Sequence, residues 1–129
     1  MKRLLMLWVF IMVGSICSAQ AANVALVKST FSLEEHPQAG IDTYYEAVRR
    51  GLDQNAVEYE VVTDEEIVEG GLEKYQLAIF PYMLDTNEDH TKAILDYVEG
   101  GGNLMWFFTV PEPLWETLGI EKLRYRRNE

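Results

Sequence analysis

Two histidines, His36 and His90, are the side chains in this 129-residue sequence best suited to moving a proton or holding a metal. His36 lies in a polar stretch, Thr30 to Gln38, behind an apolar run that closes on Ser29. Tyr82 follows a second such run and Thr109 a third. Hydroxyls, an imidazole and an aromatic ring can together hold a sugar or a carboxylate, so Ser29, Thr30, His36, Tyr82 and Thr109 are the candidate ligand-binding residues. The plainer reading of His36-Pro37 is a loop shaped by proline ahead of a helix. His90 falls in the first turns of a helix on a mostly polar face and is expected at the surface.

Other chemistries find less support. Glu34-Glu35, Asp64-Glu65-Glu66 and Glu112 offer carboxylates. A pair that cleaves a glycosidic bond with retention must stand about 5–5.5 Å apart, with one member kept protonated. That takes an apolar, aromatic setting, and none of these segments has one. The triplet at 64–66 suits the positive end of a helix. Asp85, Asn87 and Asp89 alternate as in a calcium loop, but its glycine and closing glutamate are missing at their offsets. Capping by Thr86 accounts for them with less. Gly100–Gly102 precedes a strand, whereas nucleotide-binding loops follow one. No catalytic residue, metal site or cofactor is expected.

Residues 1–21 differ from the rest. Lys2 and Arg3 precede an apolar run, Leu4 to Val13, and Ala19-Gln20-Ala21 has the small-x-small pattern of a cleavage site. This is the order of a secretory signal peptide, and the run is short for a membrane anchor. Export to the periplasm or the medium is expected, with no membrane attachment after cleavage. Cys17, the only cysteine, lies in this leader, so disulfides and thiolate chemistry are not expected beyond it. All 21 acidic residues follow the leader, and the chain carries a net charge of −10. Such a surface repels phosphate backbones, so nucleic acid is not an expected partner.

The elements that must position the candidate residues follow from periodicity. Asn23 to Ser29 reads as a buried strand. Ile41, Tyr44, Tyr45, Val48 and Leu52 form one helical stripe with Asn55 as its stop. Val57 to Val62 is a second strand, followed by a short turn of helix through Val68, capped by Thr63 or Asp64 and ended by Gly70-Gly71. Leu77 to Phe80 is a third strand, stopped by Pro81. Thr86 to Asp89 has capping-box spacing ahead of a helix with Ala93, Ile94, Tyr97 and Val98 inside, and Gly100–Gly102 ends it. Asn103 to Phe108 is a fourth strand whose aromatics are expected mostly in the core, under Tyr44, Tyr45, Tyr97 and Trp115. Leu114, Trp115 and Leu118 suggest a last short helix. Alternating strands and helices predict a three-layer α/β/α domain over residues 22–120, flavodoxin-like, with four parallel strands ordered 2-1-3-4. A charged tail, residues 121–129, follows. In that order the candidate residues gather where ligands bind in open parallel sheets, beyond the carboxyl ends of the strands.

The segment from Tyr75 to Phe108, YQLAIFPYMLDTNEDHTKAILDYVEGGGNLMWFF, resembles the class I glutamine-amidotransferase-like superfamily. Within it, the chain looks most like the non-catalytic β-galactosidase trimerisation-type domains of bacterial glycoside hydrolases. The segments EYEVVTDEEI and LEKYQLAIFP fit the same layout, and the resemblance spans Asn23 to Ile120. Active members place a cysteine nucleophile on a turn that here reads Thr109-Val110-Pro111-Glu112-Pro113, without cysteine or serine, so the amidotransferase reaction is not implied. What the resemblance implies is an exported accessory or assembly module, partnered by a copy of itself or by a glycoside-hydrolase-type chain. A small-ligand binding domain is the alternative. The sheet also stops where that family continues with further strands.

Overall fold

The computed structural model describes residues 22–121; the expected leader and residues 122–129 of the expected tail lie outside the described residues. The chain runs β1 (Val24–Lys28), α1 (Thr30–Glu35), α2 (Ile41–Gln54), β2 (Glu60–Thr63), α3 (Asp64–Val68), β3 (Leu77–Phe80), α4 (Glu88–Glu99) and β4 (Asn103–Trp106), and ends in a 3-10 turn at Glu112–Leu114. All strand pairs are parallel, in the order β2-β1-β3-β4. The register sets Leu26 beside Val61 and Ile79, and Ile79 beside Met105.

Alternation along the strands divides the core in two. Ala25, Val27, Val62, Ala78 and Phe80 face α3 and α4, where Ile67, Leu72, Ile94, Tyr97 and Leu114 close over them. Leu26 and Ile79 face α2, which brings Tyr45, Val48 and Leu52. Helices thus cover both faces. Strands β1 and β3 are apolar and buried on both sides, but the edge strands are not. On the α2 face Val61 is 45% and Met105 46% exposed, because α2 sits over the two central strands.

Several boundaries differ from the sequence reading. Residues 30–35 form a helix rather than a loop; Ser29 caps it by accepting from Ser32 N–H, and His36-Pro37 ends it. The cap of α4 is Asn87, whose side chain accepts from His90 N–H, rather than Thr86. The fourth strand stops at Trp106, because Phe108 adopts φ +67°, which breaks an extended chain. The last helix is only the 3-10 turn, with Pro111 and Pro113 limiting it. Trp106 stacks on Phe80 at 4.1 Å between ring centroids, as core; Phe107 and Phe108 are exposed.

Of the two offered caps of α3, Thr63 is the one used. Its hydroxyl accepts from Glu66 N–H while the Glu66 carboxylate accepts from Thr63 N–H, a reciprocal box. Thr63→Ala is therefore expected to cost about 1 kcal/mol. A shift of the urea midpoint at unchanged slope would show it, and an unmoved midpoint would mean that packing alone holds α3.

Candidate functional site

The carboxyl ends of the strands carry the polar chemistry. Ser29 directly follows β1, and Asp64 begins α3 directly after β2. Asp64 lies in the first turn of α3, as expected, but it is 1% exposed and Thr63 is the cap. Its Oδ2 accepts from Phe31 N–H at 2.7 Å, from the Thr30 hydroxyl at 3.3 Å and from the Ser29 hydroxyl at 3.4 Å. Burial raises the Asp64 carboxyl above the usual carboxylate range; the Phe31 N–H, His90 and the Thr30 hydroxyl oppose the rise. Thr30 also contacts the exposed Glu65 carboxylate. Ser29 and Thr30 are therefore brought together, but around a carboxylate of the protein itself.

His36 contacts Asp85, on the loop after β3, through Nε2 and Oδ2; both side chains are largely exposed. The same loop is held from inside by Ser32, which is fully buried. The Ser32 hydroxyl accepts from Leu84 N–H at 3.1 Å and Asp85 N–H at 3.2 Å, and donates to Asp85 O at 3.2 Å. Neither Ser32 nor the pairing of Asp85 with His36 has a sequence signal, since both depend on contacts between segments about fifty residues apart. His90 is 6% exposed rather than at the surface, and its ring meets Phe31 edge-on at 5.2 Å. The cover over it is α1, which periodicity does not reveal.

Tyr82 belongs to a third group. Its ring lies 4.9 Å from Tyr44 and 5.3 Å from Phe108, and Tyr44 and Phe108 are 4.3 Å apart. Tyr44 therefore does not cover the fourth strand's aromatics inside a core; it shares with Phe108 an exposed aromatic corner. Thr109, half-buried, comes next in the chain. The five candidate residues thus divide among a buried carboxylate, an exposed His–Asp contact and an aromatic corner. The serine and threonine hydroxyls of the first group bond to carboxylates or backbone, not to either histidine. A depression of about 570 Å³ lies at the opposite, amino end of the sheet, between Glu73, Asp96 and the Gly100–Gly102 run. Among the described residues, no cluster of three or more His, Cys, Asp or Glu side chains could hold a metal ion, and no helix is long and apolar enough to cross a membrane.

No protein-family model matches the chain, and no curated protein sequence matches it. Among solved structures, a crystal structure of a β-galactosidase from Bifidobacterium adolescentis is similar, at 13% identity and a TM-score of 0.56, over 67% of this chain. The match spans 40% of that chain's length. At this identity the likeness speaks to the parallel α/β fold.

Proposed function

We propose that the chain is an exported, non-catalytic α/β module that acts by association, as an accessory or assembly domain of the kind found with glycoside hydrolases. Two things support this reading: the structural likeness to part of a β-galactosidase chain, and the sequence resemblance to the trimerisation-type domains of the amidotransferase-like superfamily. One observation carries it. In and just after β4, Met105, Phe107 and Phe108 expose apolar surface, with Phe108 at 64% and its ring 4.3 Å from Tyr44. Phe108 is also held at positive φ, a conformation that costs a bulky residue on the order of 1 kcal/mol. Among the described residues, strand β4 pairs only with β3, and the segment 103–108 carries no charge or proline along its other edge. A contiguous apolar patch of this sort marks an interface.

The test is the molar mass of the purified protein in solution, by size-exclusion chromatography with light scattering. A discrete oligomer is expected, and Phe107→Glu with Phe108→Glu should weaken it at least tenfold, as loss of a buried aromatic anchor does. A monomer at high concentration that neither the double change nor an added glycoside-hydrolase chain alters would sink the reading.

The aromatic corner favours a second reading, a site for a small sugar or carboxylate at Tyr82 and Thr109. Calorimetric titration with sugars and organic acids tests it; absence of heat across the panel, with intact protein, removes it.

A further inference from the structure

The N–H groups of Asn103 and Phe107 donate toward β3, to the carbonyls of Gln76 at 3.1 Å and Phe80 at 3.0 Å. Successive N–H groups alternate sides along a parallel strand, so those of Leu104 and Trp106 point away from β3. Neither donates to an acceptor among the described residues. Sheet edges that stay free are blunted by charge, proline or a bulge, and the segment 103–108 has neither charge nor proline. The path of the chain leads to the same edge. Helices α3 and α4, which link β2 to β3 and β3 to β4, cover one face of the sheet. Leu114 and Leu118, in the stretch after β4, pack on that same face. Crossovers between parallel strands are right-handed, so a connection over this face returns beside β4, on the side away from β3. Residues 107–121 exceed the dozen or so that such a crossover needs.

We propose that residues 122–127 of the same chain dock on the open edge of β4 as a fifth parallel strand. Immediately after the crossover stretch the sequence reads Lys122, Leu123, Arg124, Tyr125, Arg126 and Arg127, with basic and apolar residues taking turns over the first five. Alternation at period two is the pattern of a strand with one apolar face. The backbone of this segment supplies carbonyls for the Leu104 and Trp106 N–H groups. Leu123 and Tyr125 supply apolar cover beside Met105, which is 46% exposed on the α2 face. On the opposite face, Glu88, Asp96 and Glu99 of α4 line a depression together with Pro113, and Lys92 answers only Asp96. That acidic lining suits Lys122, Arg124 and Arg126. Cations on the outermost strand also discourage further pairing, a protection that β4 lacks. The proposal stands apart from the association read above. Phe108 leaves the extended path at φ +67°, past the end of β4, so a strand on this edge does not consume its exposed ring.

Hydrogen exchange followed by nuclear magnetic resonance on the purified protein reads the edge amide by amide. The Leu104 and Trp106 amides should exchange at least about tenfold more slowly than their intrinsic rates. Arg124→Pro combined with Tyr125→Pro should abolish that protection, because one of those two adjacent N–H groups must face β4 and proline has none. Leu26 and Ile79, in the central strands, should keep theirs. Nuclear Overhauser contacts between the backbones of residues 122–127 and 103–106 should accompany the protection in the unmodified protein. Free exchange at Leu104 and Trp106, or protection unchanged in the double variant, overturns the proposal. Protection that fades on dilution, as light scattering shows an oligomer falling apart, also overturns it and gives the edge to a second copy. If the variant does not fold, the Overhauser contacts decide: their presence sustains the strand and their absence overturns it.

Discussion

Gly102→Ala is expected to destabilise the domain by about 3 kcal/mol, lowering the melting temperature by roughly 10–20 °C. The cause is a close approach, not a special backbone angle. A Cβ on Gly102 would fall within the ring of Tyr97, closer than the 3.0 Å below which something must shift. Tyr97 is in no position to shift. It is buried in the core facing α4, and its hydroxyl can reach the carbonyls of Tyr75 and Asn103, both at 3.3 Å. Moving the ring would open space beside Ile94 and break contact with the strand ends that α4 joins. Gly101 provides the control: a Cβ there would meet open space, but the residue sits at φ +96°. Gly101→Ala should therefore cost only the left-handed penalty, about 1 kcal/mol. Thermal melts of the two variants separate crowding from backbone strain, and equal, small losses would refute the crowding.

The glycine run is legible in the sequence because it ends a helix and abuts a strand, and both are local requirements. The same holds for the sheet. Leu77 to Phe80 is bounded correctly because an apolar run flanked by Gln76 and Pro81 has one reading, and the order 2-1-3-4 follows from alternating elements. What is not legible is tertiary. In α1 only Phe31 and Leu33 are apolar, two residues apart, which matches no helical stripe; part of what holds it is Asp64, more than thirty residues away. Without α1, the partners of Ser29 and Thr30 stay hidden as well. So does the cover over His90, whose neighbours Glu88, Asp89, Thr91 and Lys92 make its face look solvated. Phe107 and Phe108 mislead in the opposite direction. Their type says core, but their exposure depends on which elements lie beside β4, and a run of side chains does not encode that.

Ser32→Ala is expected to cost about 2–3 kcal/mol, more than an ordinary lost hydrogen bond. The hydroxyl is fully buried and serves three groups of the loop after β3, accepting from two N–H groups and donating to one carbonyl. Alanine would leave the Leu84 and Asp85 N–H groups facing a methyl that can accept nothing. The loss should be local as well as global. Freed from Ser32, the loop would be held to α1 mainly by the exposed His36–Asp85 contact, and exposed ion pairs contribute little. Ser29→Ala is the useful comparison, since Ser29 makes two longer bonds at 3.4 Å and Asp64 retains the Phe31 N–H without it. That change should cost no more than about 1 kcal/mol. Urea unfolding of both variants, with hydrogen exchange at Leu84 and Asp85, tests the difference. A Ser32→Ala cost at or below that of Ser29→Ala, with both amides still protected, would mean that water replaces the hydroxyl and that α1 does not govern this loop.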